Sequence, residues 1–195
     1  VSFLLISLSF LAAQDQKESI TKQFDKYREL SLAKDYSGLM DFIYPKLFTV
    51  VPREQMVAMF EQMDGEEMSF EFKELTMDNL SEVFVHEEEQ FALVDYTGKM
   101  TIWFLSEEMQ DEATMEIMEA TFANTYDKIE RVDNDGTPGL DMEFQKQMFA
   151  IADQDSEEWK FIENNAEQAM LMEMLFPKEV IEHFAKKADE EEDKN

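Results

Sequence analysis

The chain has no cysteine and only two histidines, His86 and His183. Without a thiol there is no disulfide, no Cys nucleophile and no thiolate for zinc, and nothing to lipidate near the N-terminus. A fold of this kind must rest on core packing alone. The two histidines form no recognisable pair, and a Gly-rich phosphate loop and a serine nucleophile elbow are missing as well. Nucleotide, thiol and zinc chemistry are therefore left without a motif, and no cofactor is expected. Positive charge is also scarce: 17 Lys and Arg stand against 45 Asp and Glu, a formal net charge of -28 at pH 7. Such a chain repels polyanions, so nucleic acid is not expected as a partner, and its surface reads as heavily solvated.

Long apolar runs are reduced to one, Val1 to Ala13, which stops at Gln14-Asp15-Gln16-Lys17-Glu18. It is shorter than the roughly 20 residues of a membrane-spanning helix and suits a signal-peptide core of about 7 to 15. No initiator Met or basic segment precedes Val1, so residues 1–13 read as a signal peptide truncated at its start, with Ala13 the last residue removed. Leu11 stands where a small residue is preferred, and a buried N-terminal strand or helix is the alternative. The expectation is an exported soluble protein, periplasmic or extracellular, with no integral membrane segment in the mature chain.

What remains reads as one domain over residues 14–185, followed by an acidic, disordered tail over 186–195. Ile20, Phe24, Tyr27 and Leu30 or Ser31 predict an amphipathic helix over Glu18 to Ala33. Tyr36 to Tyr44 predicts a short helical piece closed by Pro45, and Pro52 opens another that buries Met56, Phe60 and Met63. From Met68 the period changes to alternation. Phe70 and Phe72 mark one strand and Val83 and Val85 another, while Phe91 to Tyr96 and Lys99 to Leu105 flank Thr97-Gly98 as a hairpin turn. Glu107 to Tyr126 predicts a helix with Met109, Ala113, Ile117 and Ala120 on its apolar side. A loop at 134–139 precedes a long strand over Asp141 to Ala152, which pairs with a strand carrying Trp159 and Phe161 on one face. Asn165 to Phe176 and Pro177 to Phe184 predict two closing helices. Elements segregated in this way indicate an α+β fold with a mainly antiparallel sheet.

Met148-Phe149-Ala150-Ile151, a polar turn and Trp159-Lys160-Phe161-Ile162-Glu163 resemble the final hairpin of exported bacterial proteins in the nuclear transport factor 2-like superfamily. Tyr44-Pro45-Lys46-Leu47-Phe48 is similar to a second part of that pattern. The resemblance implies N-terminal helices packed on a curved antiparallel sheet, a cystatin-like cone whose interior can hold a ligand. It does not choose a function, because that superfamily contains isomerases, dehydratases and hydrolases beside binding and assembly domains. Enzymatic members set Asp, His and Tyr side chains inside the cone.

By residue type, Asp95 is the candidate acid or base, provided that it shares the inner face with Phe91 and Leu93. Tyr44 or Tyr96 would donate to an oxyanion, and His86, beside Glu87-Glu88-Glu89, would be a base or a metal ligand at the sheet edge. Tyr44 and Trp103 are candidates to line a ligand pocket, although each of these residues also suits a core or turn position. Asp133-Asn134-Asp135-Gly136 has the look of a calcium loop, but its spacing would make Arg131 the first ligand and Met142 the last, so it reads as a turn. Met56-Met59-Met63, Met115-Met118 and Met170-Met172-Met174 offer thioethers to Cu(I) or, more simply, fill a core, with Met172 out of phase and exposed. No metal site is assigned. The leading expectation is an exported, non-catalytic binding or accessory domain for a small apolar ligand or a protein partner, with homodimerisation through the sheet as one arrangement. The alternatives are an isomerase- or dehydratase-like enzyme and a copper or calcium binder.

Overall fold

Ile20, Phe24, Tyr27 and Ser31 recur every three or four residues and give the first helix, α1 (Ser2–Leu32), a face that a sheet can cover. Ile20 and Phe24 are fully buried, and the Ser31 hydroxyl donates to the Tyr27 carbonyl at 2.8 Å, which lets a polar residue sit inside. Lys34 adopts the left-handed region at φ 56° just beyond the helix, and Asp35 caps the next turn by accepting from the Gly38 N–H at 2.8 Å. The computed structural model describes residues 2–192, with side chains described for 14–165 and 167–187. Val1 and the side chains of the apolar run, on which the signal-peptide reading falls, lie outside the described residues. The backbone of that run from Ser2 onward is continuous with α1. Among the described residues, no helix is long and apolar enough to cross a membrane.

After α2 (Tyr36–Leu39) come two 3-10 turns, Met40–Phe42 and Pro45–Thr49, and then α3 (Arg53–Met63), which begins after Pro52 as predicted. Pro52 is tolerated there because the first N–H groups of a helix have no partner to lose. The apolar face expected of α3 is only half-buried. Phe60 stacks on Tyr36 at 5.4 Å, but Met63 is exposed.

Six strands form one antiparallel sheet that curls into a half-barrel: β1 (Met68–Leu80), β2 (Phe84–His86), β3 (Glu89–Phe104), β4 (Lys128–Asn134), β5 (Thr137–Asp153) and β6 (Lys160–Glu163). The order is β1-β3-β5-β4, with β2 also paired to β3 and β6 to β5. Two irregularities in β1, at Phe72/Glu74 and Met77/Asn79, help the sheet to bend. Alternation divides the side chains between two faces. Ala92, Val94, Tyr96, Met100, Ile102 and Phe104 of β3 share the inner core with Met142, Phe144 and Met148 of β5, with α1, with Trp159 and Phe161, and with α4 (Glu112–Phe122). Phe91 and Leu93 of β3 and Phe149 and Ile151 of β5 point the other way. They form a second core under α5 (Ala169–Leu175) and α6 (Lys178–Glu192). The protein is thus an α+β fold with an apolar layer on each side of one sheet.

Three local readings change. Thr97-Gly98 is no turn: β3 runs straight through it, with Gly98 paired to Leu75 on one side and to Phe144 on the other. A Cβ on Gly98 would stand 2.3 Å from Phe144 Cζ, so the glycine serves close approach inside a strand. The loop predicted at 134–139 shrinks to Asp135-Gly136, a two-residue hairpin turn with both residues at positive φ (53° and 91°), which makes room for the unpredicted strand β4. In α4, Ile117 is exposed, and the core side is Met115, Met118 and Phe122, a 3.6-residue stripe one step round from the one expected. At the other end of the chain, α6 continues through Lys186 to Glu192, a stretch the sequence reads as a disordered tail.

Candidate ligand-binding cleft

Asp95 lies on the same face of β3 as Phe91 and Leu93, but that face is the outer one, under α5 and α6. Its carboxylate is held by neutral amides. Asn79 Nδ2 donates to Oδ2 at 3.1 Å, and Gln147 Nε2, from the neighbouring strand β5, donates to Oδ1 at 2.7 Å. Asn164, just past β6, donates through Nδ2 to Gln147 Oε1 at 2.6 Å and through its backbone N–H to the Gln147 carbonyl at 2.8 Å. The result is a polar chain, Asn79–Asp95–Gln147–Asn164, laid across β1, β3, β5 and the end of β6.

Two clefts meet on this chain. The first, about 320 Å³, has an apolar floor of Leu93, Phe149, Met172, Ile181 and Phe184 and a polar rim of Asn79, Ser81, Asp95, Gln147 and Asn164. Glu173 and Lys187 also line it. The second, about 500 Å³, shares Asp95, Gln147 and Asn164 but is polar throughout, with Asn124, Lys146, Glu163 and Glu167 in its wall. It opens where β5 has no strand partner on one side, because pairing to β4 stops at Glu143 and pairing to β6 begins at Met148. There Asp127 Oδ2 accepts from the Gln145 N–H at 2.6 Å in place of a strand. The smaller cleft is the better candidate, since burial of apolar ligand surface supplies affinity while a few placed polar groups orient it.

The other predicted residues do not join Asp95. Tyr96, the next residue, faces the inner core, where burial and then the nearby Tyr27 and Glu163 push its phenol far up. Tyr44 belongs to the second core, stacked on Phe176 at 5.6 Å, with its hydroxyl donating to Glu89 Oε1 at 2.8 Å. Burial first, and Glu89 with it, raise its pKa to about 12 against the opposing Lys46. Glu89 lies six residues before Asp95 on β3, about 20 Å along a strand. Trp103 sits on the outer face at the far end of β3 and donates through Nε1 to Glu71 at 3.2 Å. Neither Tyr44 nor Tyr96 therefore converges with Asp95, and neither Tyr44 nor Trp103 lines either of the two clefts.

His86 ends β2 at the sheet edge, and the two histidines prove to be neighbours through a third ring. His183 of α6 stacks on Phe84 at 3.9 Å and 9°, and His86 flanks the same Phe84 at 6.2 Å. Asp133-Asn134-Asp135-Gly136 closes the β4–β5 hairpin, Asp133 Oδ1 accepting from the Gly136 N–H at 2.9 Å. Among the described residues, no group of three His, Cys, Asp or Glu is placed to hold a metal. Met172, expected to be exposed, is buried in the second core, whereas Met170 and Met174 face solvent.

Asn79, Gln147 and Asn164 escape sequence reasoning because single amides carry no motif. Gln147 counts there as part of the polar side of an amphipathic strand. The available clue is the apolar group Val180, Ile181 and Phe184, which announces that α6 must cover something. No protein-family model, curated protein or solved structure matches this chain.

Proposed function

We propose that the protein is a non-catalytic binding domain that seats a small amphipathic molecule between the outer face of its sheet and helices α5 and α6. One observation carries the reading: a cleft of about 320 Å³ joins an apolar floor to a rim that is hydrogen-bonded in advance. Leu93, Phe149, Met172, Ile181 and Phe184 supply desolvation of an apolar tail, and the amide chain around Asp95 orients a polar head. Separation of Asp95 from both tyrosines supports binding over proton transfer, because an enolising site needs base and oxyanion donor within reach of one substrate. The curled sheet closed on α1 supports kinship in form with the nuclear transport factor 2-like cone, although the cleft described here lies on the outside of that curl. The apolar run of Val1 to Ala13 supports an exported, periplasmic or extracellular setting for such a domain.

The test uses protein carrying isotope-labelled methionine methyl groups and a titration with hexan-1-ol. The methyl of Met172 should shift and saturate while that of Met115, in the inner core, stays still, and the alcohol should be recovered chemically unchanged. A Met172 signal that never moves, or shifts confined to the inner-core methyls, would overturn the reading.

A further inference from the structure

The outer cleft holds a carboxylate that has no cationic partner among the described residues. Asp95 accepts hydrogen bonds from Asn79 and Gln147, both uncharged, and among the described residues no Lys, Arg or His forms an ion pair with it. The two cations of the paired clefts are committed elsewhere: Lys146 Nζ to Glu163 at 2.8 Å, and Lys187 Nζ to Glu82 at 3.5 Å. Four carboxylates (Asp95, Glu163, Glu167 and Glu173) line the two clefts against two ammonium groups (Lys146 and Lys187), an excess of two negative charges. Each oxygen of Asp95 accepts one described bond, and a carboxylate oxygen has room for a second. Asp95 is therefore fixed in orientation, without a cationic partner among the described residues, and still able to accept.

We infer that the polar head of the ligand is a cation, an alkylammonium or amidinium group that donates to Asp95 while its aliphatic chain lies over Leu93, Ile181 and Phe184. This inference rests on the binding reading above and names the chemical class that the cleft selects. The net charge of -28 works in the same direction, drawing cations toward the surface and repelling carboxylates of equal shape. Fixed amide donors around Asp95 add specificity: they hold the carboxylate with its free lone pairs toward the cleft, so a head that can only accept meets like charge.

The experiment compares three probes of one chain length, hexylamine, hexan-1-ol and hexanoate, by their shifts of the Met172 methyl and of the Gln147 and Asn79 side-chain amide signals. Hexylamine should bind about tenfold or more tightly than hexan-1-ol, and hexanoate should not bind, as a charge-assisted hydrogen bond predicts. Asp95→Asn should erase the preference for amine over alcohol. Ala185→Trp, at an exposed position on the cleft wall, should block all three probes and so locate the binding. Equal binding of amine and alcohol by the unsubstituted protein overturns the cation inference alone. Failure of every probe to move the Met172 methyl overturns both this inference and the binding reading. The comparison among probes stands whether or not the Asp95 variant folds.

Discussion

Gly98 of β3 lies directly beneath the ring of Phe144 of β5: a Cβ built on the glycine would come within 2.3 Å of Phe144 Cζ and 2.8 Å of Leu75 Cδ2. The two strands are in register at this point, so the ring cannot retreat without leaving the inner core, where Phe144 also packs edge-on against Tyr96 and Tyr126. Gly98→Ala should destabilise the protein by about 1–3 kcal/mol through overpacking. Urea denaturation should show a lower midpoint at an unchanged m-value, and Phe144→Leu in the same chain should restore part of the loss. If Gly98→Ala leaves the midpoint where it is, the close approach is not a constraint.

The same residue shows how far the sequence is legible. Thr97-Gly98 between two alternating apolar runs has the composition of a turn, and only a partner strand pressing a ring onto the glycine distinguishes the two readings. Local signals that depend on one element, such as Pro52 before α3 and the 3.6-residue spacing of Ile20 and Phe24, are recovered residue by residue. The antiparallel hairpin around Trp159 and Phe161 is legible too, because both of its strands are close in sequence and alternate cleanly. The cleft is not. Asn79, Asp95, Gln147 and Asn164 come from four separate segments, and their meeting is fixed by the register between β1, β3 and β5, which no single segment encodes. Asp95 stands out in the sequence only as a carboxylate interrupting an apolar strand, and which face it joins depends on α6 covering that side.

Trp159 is fully buried, and its indole Nε1–H donates to the Ser19 hydroxyl of α1 at 2.8 Å, while that hydroxyl donates in turn to the Gln16 carbonyl. Ser19→Ala removes the acceptor and leaves a buried donor unpaired, at a loss of about 1–3 kcal/mol. The indole N–H resonance of Trp159 should exchange slowly with deuterium in the unsubstituted protein and markedly faster in the variant. Equal exchange in both would show that the α1 contact contributes nothing to protection at this site.

His183 gives the fold a dependence on acidity. Desolvation against Phe84, followed by the positive charges of Lys187 and Lys186, lowers its pKa below the ordinary 6.5. The unfolded chain therefore binds a proton at a pH where the folded chain does not, so this histidine's contribution is present above 6.5 and lost as pH falls through and below that value. His183→Phe keeps a ring on Phe84 and cannot titrate. Its stability relative to the unsubstituted protein should rise between about pH 7.5 and pH 5. His86→Gln, on the other side of Phe84, serves as the control for the second imidazole. A relative stability of His183→Phe that is flat across that interval would remove His183 as the cause.

The three methionines of α5 should divide sharply in their chemistry. Met170 and Met174 lie one turn apart and are 78% and 65% exposed, whereas Met172 is 6% exposed and forms part of the cleft floor. Oxidation to the sulfoxide needs access of the oxidant to sulfur and turns an apolar side chain polar. Under dilute hydrogen peroxide, peptide mapping by mass spectrometry should find Met170 and Met174 converted first, with the melting temperature unchanged, because their sulfoxides remain in water. Met172 should react only at the rate at which α5 lifts from Phe149 of the sheet, and the fraction oxidised there should track loss of the folded state. Comparable rates at all three positions would mean that α5 does not stay docked on the sheet, and the apolar floor of the cleft would then be lost with it.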